Sequence, residues 1–197
     1  MYGRKQDASS ARILLVLVTI TFVCNLVVLP LLPGIVGCGL LHIRPEYVVE
    51  GGDFFFEYSS GGSWLVFYSV LFWESYITVW QDGYSAVLTL FLFASGCCTA
   101  VILAQARKIL ETLLEGEIFV RSNARHMRRA AVCCFVISGA ALVRLLWGFW
   151  YYGSIAPLFT YNALFVPVFL MGGLLFLVMS ALFLQAACLK EENDLTI

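Results

Sequence analysis

Few side chains in this sequence could carry chemistry, and their spacing does not gather them. Arg144, Asn25 and Gln185 each stand inside long apolar runs, and Glu74 sits in a strongly aromatic one. An ionisable group within a membrane segment is a functional candidate by default, because translocon scales put its cost at about 2.5 to 3.5 kcal/mol at the bilayer centre. Arg144 has two readings. Its long stem carries the charge to an interface, or it pairs internally with Glu74 or faces a lumen. Asn25 suits interhelical hydrogen bonding. The seven cysteines form no CxxC and lie almost wholly in apolar runs, where a thiol packs as a small hydrophobe. The two histidines, His42 and His126, fall on opposite sides of the threading derived below, so they cannot share a metal. No HExxH, GxSxG or GxxxxGK[ST] run exists. No catalytic set, metal site or cofactor is expected.

A second group is denser. From Gln105 to Arg129 the chain reads QARKILETLLEGEIFVRSNARHMRR, and six of the twelve Lys and Arg residues fall there. Within it Ile109, Leu110, Leu113 and Leu114 form an apolar stripe at helical spacing. Gly116 is placed to end a helix, and Glu117 to Val120 form a short turn with an apolar anchor. Ser122 or Asn123 is placed to cap the next helix, which carries Arg125, His126, Arg128 and Arg129. The chain ends in LKEENDLTI. Acids at a helix C-terminus oppose its dipole by about 0.3 to 1 kcal/mol each, so Glu191, Glu192 and Asp194 are expected beside cations, and the inner-loop arginines are the nearest in kind. Charge of this sort suits lipid headgroups or a protein partner.

The elements that must position these groups follow from composition. Hydrophobic residues make up 61% of 197 and charged residues 13%, and mean hydropathy is +0.88. Such a chain is an integral membrane protein, since a soluble domain carries about 25% charged residues. With a net charge of -1, no basic surface points to nucleic acid. Apolar runs predict spans at about 13–33, 84–104, 130–151 and 163–189, each long enough for the ~20 residues that cross hydrocarbon. The first is too long for a cleaved signal core and lacks an A-x-A site, so it is a retained helix that Pro30 and Pro33 end or kink. The fourth must tilt, protrude, or kink near Pro167 and Gly172-Gly173.

Between the first two spans, residues 42–83 gather six acids against Arg44 alone. Here Trp64, Tyr68, Phe72, Tyr76 and Trp80 recur every four residues. A fifth span from Trp64 to Trp80 would carry Glu74 and break the charge asymmetry. The preferred reading is a β-hairpin, Phe54 to Tyr58 and Trp64 to Tyr68 joined by SSGGS, followed by a short interfacial helix. The expected fold is therefore all-α, a single membrane domain over 1–197 built as a four-transmembrane-helix bundle with an aromatic extracytoplasmic loop. Ten Lys and Arg residues then lie in the N-terminal segment, the 105–129 loop and the tail, against Arg44 outside and Arg144 within a span. The positive-inside rule places both termini in the cytoplasm.

The combination of LLEGEIFVRSNARHMRR with LKEENDLTI resembles DUF2975, a family of bacterial four-span membrane proteins of unassigned activity. The positions that carry the resemblance are Gly116, Phe119, Asn123 and Arg128, with the closing Glu-Asn-Asp-Leu-Thr-Ile. It implies a bacterial inner-membrane protein, often encoded beside a small helix-turn-helix regulator. Joined to the charge pattern, it yields an expectation of a non-enzymatic sensor or regulator whose inner loop and tail dock that regulator. The docking set is Gly116, Phe119, Asn123, Arg125, Arg128, Arg129, Glu191, Glu192, Asp194 and Leu195. The rival expectation is a small oligomeric transporter, channel or immunity protein, with a polar path through Arg144, Asn25 and Gln185. Its partners would be the bilayer and copies of itself.

Overall fold

The computed structural model describes residues 2–43, 64–116, 119–159 and 161–194, and every regular element among them is helical. In chain order these are α1 (Tyr2–Ile43), α2 (Trp64–Thr78), α3 (Gly83–Leu114), α4 (Arg121–Tyr152), two short 3₁₀ turns (Ala156–Phe159 and Tyr161–Leu164), and α5 (Phe165–Asp194). Among the described residues four stretches are long and apolar enough to cross a bilayer: Ser10–Gly37, Gly83–Leu114, Arg121–Tyr152 and Phe165–Asn193. The protein is a multi-pass membrane protein with an all-helical architecture. Its large exposed side chains, among them Val143, Trp150, Met171 and Leu175, are those a lipid-facing surface requires.

Two compact units divide the chain. Residues 1–27 and 94–197 form the first, and residues 28–93 the second. In the first unit α4 and α5 pack antiparallel. The Ser138 hydroxyl donates to the Val166 carbonyl at 2.9 Å, and the Ser180 hydroxyl donates to the Ala124 carbonyl at 2.7 Å. Fourteen residues back along α4 thus correspond to fourteen forward along α5. Close approach depends on small residues: a Cβ on Gly173 would lie 2.9 Å from the Phe135 ring. The α4 face that meets its neighbours carries Asn123, Ala130, Cys134, Ile137 and Ala141, all buried. The opposite face exposes Val132, Val136, Val143, Leu146 and Trp150, an arrangement that 3.6 residues per turn produces directly.

In the second unit α1 crosses α2 at Gly34 and Gly37. A Cβ at Gly37 would collide with the Ser75 carbonyl oxygen, and one at Gly34 would overlap the Phe72 ring. Ser75 and Val79 are buried there. The start of α3 is capped by Asp82, whose carboxylate accepts from the Ser85 amide at 3.1 Å and from the Ser85 hydroxyl.

One expectation is corrected, and one of two alternatives at the α1 prolines is excluded. The second arm of the proposed β-hairpin, Trp64 to Tyr68, is the opening of helix α2. The four-residue recurrence of aromatics is its helical period. The first arm, Phe54 to Tyr58, lies outside the described residues. Pro30 and Pro33 do not end α1, which continues through both to Ile43; a membrane helix tolerates proline where neighbouring groups take up the freed carbonyls. Pro167 occupies the first turn of α5, where its missing N–H would be unpaired anyway.

Candidate functional site

The charged run and the end of the chain meet in the first unit, at the turn between α3 and α4. α3 carries its helix well past the apolar run, to Leu114. It ends on the Glu115 amide donating to the Glu111 carbonyl at 3.1 Å and the Gly116 amide to the Leu113 carbonyl at 3.2 Å. Gly116 then adopts φ +84°, a left-handed conformation that glycine enters without the Cβ penalty. Within the apolar stripe Leu110 is buried, whereas Leu113 remains exposed.

α4 starts after Val120, in extended conformation with φ -121° and ψ 140°, and no side chain caps it. The expected capping role of Ser122 or Asn123 is therefore replaced. Asn123 is the third residue of α4 and points into the protein, 1% exposed. The Thr112 hydroxyl of α3 lies 3.0 Å from its Oδ1 and 2.8 Å from the Ile109 carbonyl, sharing its proton between them. A capping residue faces its own helix end, while this one ties two helices together.

One turn further on, His126 Nδ1 is 2.6 Å from Gln105 Oε1. Gln105 is 7% exposed, and an amide oxygen only accepts, so the imidazole donates from Nδ1. Burial lowers the His126 pKa below its ordinary value, and the positive charges of Lys108, Arg129 and Arg125 lower it further. The imidazole is therefore neutral near pH 7. These contacts set an antiparallel register in which His126 is level with Gln105 and Cys133 with Cys98.

The end of α5 folds into the same place. Arg121 at the first position of α4 pairs with Glu191 at 2.5 Å, both exposed, which raises the Arg121 pKa through the hydrogen bond and charge of the carboxylate. The Phe119 ring, itself exposed, packs 5.9 Å from the Phe183 centroid at a 44° tilt. The pairing expected between the acidic tail and the loop arginines is thus made by Glu191 and Arg121, a residue outside the candidate set. The sequence signal for Arg121 was present in the six-cation run but did not distinguish it from its neighbours. Asp194 closes α5, and Leu195 lies outside the described residues.

Arg125, Arg128 and Arg129 take no part in that junction. They line a groove of about 420 Å³ together with Val101, Val132 and Cys133, on the outward side of α4 beside α3. The structure therefore divides the ten-residue docking set. Gly116 and Asn123 shape the hairpin, Phe119 and Glu191 join the turn to α5, and the three arginines face elsewhere.

The intramembrane polar candidates are not brought into one compact site. The α4/α5 register places Gln185 level with Phe119, some 25 residues from Arg144 along the bundle, or roughly 37 Å at 1.5 Å per residue. Gln185 is exposed and Arg144 half-buried. The Asn25 carbonyl oxygen is enclosed without a hydrogen-bond partner. Glu74 stands exposed on α2, in the second unit. Among the described residues no cluster of His, Cys, Asp and Glu could hold a metal ion.

Comparison with curated proteins and with solved structures finds no match. A family model described as "Protein of unknown function (DUF2975)" matches residues 63–197, which takes in α2 to α5, the α3/α4 turn and the whole C-terminal segment, and the chain belongs to that family.

Proposed function

We propose that the protein is a non-enzymatic regulator of the bacterial cytoplasmic membrane, and that its α3/α4 turn and the end of α5 together dock a small helix-turn-helix transcription regulator. The observation that carries this reading is the junction of turn and tail. Arg121 with Glu191, and Phe119 with Phe183, make two segments far apart in sequence into one surface. Its exposed groups are mixed: an aromatic ring, the cation of Arg121, and the carboxylates of Glu191 and Glu192. That composition resembles the aromatic and charged make-up of a protein interface more than a pocket for a small molecule. The excess of Lys and Arg in the N-terminal segment, the turn and the tail supports a cytoplasmic position for this surface. A regulator held there is withheld from DNA, and its release sends the signal. The reading of an oligomeric transporter or channel draws no support from the α4/α5 register.

The test is expression in the native host and purification in detergent, with any co-purified helix-turn-helix protein identified by mass spectrometry. The intact protein should retain the regulator, and Phe119→Asp or Glu191→Arg should release it and alter transcription of its target genes. If the intact protein retains no DNA-binding protein and neither substitution changes a transcript, the proposal fails. Labelling of a Ser122→Cys variant by an impermeant reagent added outside intact cells would overturn the orientation on which it rests.

A further inference from the structure

The groove beside α3 is lined mainly by carbon, including the stems of Arg125, Arg128 and Arg129. Along α4 these arginines stand nearer the α3/α4 turn, and Val132 and Cys133, with Val101 of α3, stand further from it. None of the three arginines has an ion-pair partner among the described residues, in contrast to Arg107 with Glu111 and Arg121 with Glu191. Guanidinium groups crowded on one side of a helix repel one another unless an anion sits between them. The apolar end leads into the bilayer: Val132 begins the exposed row Val136, Val143, Leu146 and Trp150 on the same face of α4. The α3/α4 register puts Val101 about level with Ala130, just inside the charged turn. The cations therefore stand where a lipid headgroup lies, and the apolar floor where its chain begins.

We propose that this groove is a binding site for one anionic phospholipid, whose phosphate is held by Arg125, Arg128 and Arg129 and whose acyl chain runs over Val101 and Val132. Arginine suits the task because its planar fork donates to phosphate oxygens in pairs. A soluble phosphate would satisfy the cations but leave the valine floor uncovered. A lipid satisfies both. The site is independent of the docking surface at Phe119 and Glu191, so either proposal stands without the other.

The experiment is native mass spectrometry of the full chain in detergent, titrated with phosphatidylglycerol or phosphatidylcholine. Phosphatidylglycerol should be retained at least about tenfold more strongly than phosphatidylcholine, and the triple variant Arg125→Gln, Arg128→Gln, Arg129→Gln should lose that preference. A control that removes three cations elsewhere, Arg107→Gln, Lys108→Gln, Lys190→Gln, should keep it. Val132→Trp fills the floor while leaving the charges in place, and it should weaken phosphatidylglycerol without disturbing the arginines. That variant decides the matter if the triple variant folds poorly. Equal retention of both lipids overturns the proposal, as does equal loss in the control, which would show diffuse charge attraction. Displacement of the lipid by millimolar inorganic phosphate overturns it too, since the site would then belong to a soluble anion.

Discussion

Replacing Asn123 by alanine tests whether this residue builds the hairpin or meets a partner. The side chain is 1% exposed and its Oδ1 lies 3.0 Å from the Thr112 hydroxyl, eleven residues away on α3. Loss of a buried hydrogen bond of this kind costs about 0.5 to 1.5 kcal/mol. The vacated space adds to it, and Thr112 keeps the Ile109 carbonyl at 2.8 Å, so no hydroxyl is stranded. A total of about 2 kcal/mol follows, within the usual span for substitutions that disturb a buried network. The assay is reversible unfolding in mixed micelles, followed by far-ultraviolet circular dichroism, on Asn123→Ala, Thr112→Val and the double variant. The coupling between the two should be about 0.5 to 1.5 kcal/mol. Arg125→Ala, on the outward face, should stay within about 0.5 kcal/mol of the unaltered protein. A coupling within about 0.3 kcal/mol of zero would refute the clamp, as would an Arg125→Ala effect as large as that of Asn123→Ala.

Acidification should destabilise the hairpin through His126. Its folded pKa is lowered, so the imidazole is neutral in both states above the ordinary value of 6.5, and the unfolded chain gains a proton first as pH falls below it. Stability should decline from pH 7 through that window until the folded imidazole also titrates, and a His126→Gln variant measured in the same micelles should lose that part of the slope. Gly116→Ala, at φ +84°, should cost about 1 kcal/mol in the same unfolding experiment, although no atom stands near the added methyl. Gly37→Ala should be the more disruptive glycine change, because its methyl would collide with the backbone carbonyl of Ser75. Overpacking of this order costs about 1 to 3 kcal/mol, and accelerated proteolysis between α1 and α2 would register it.

The spans were legible because hydropathy depends only on which residues are present over about twenty positions. α3 and α4 contain their predicted spans, and α5 holds all of its own except residues 163 and 164, which close a 3₁₀ turn; each helix extends further at its charged end. Local chemistry was harder to place. Asn123 is as good a capping residue as any in type, and only the position of Thr112 on a different helix shows that its amide turns inward. Trp64 to Tyr68 carries strand formers, yet the four-residue recurrence of aromatics beyond it was the stronger signal, and α2 follows that period. Asp82 was counted as one acid among six, whereas its place one residue before α3 makes it a cap. Which arginine pairs with Glu191 depends on the relative height of α4 and α5, and no sequence pattern records the height of one helix against another.

That height has a mechanical meaning. Ser138 and Ser180 each fasten a side chain of one helix to the main chain of the other, and the two fastenings sit about four turns apart. A piston stroke of α5 by one turn, roughly 5.4 Å, would tear both at once, whereas a swing about either serine keeps that one intact. Relative movement of α4 and α5 is therefore easier as a swing about one serine than as a slide along the helix axis.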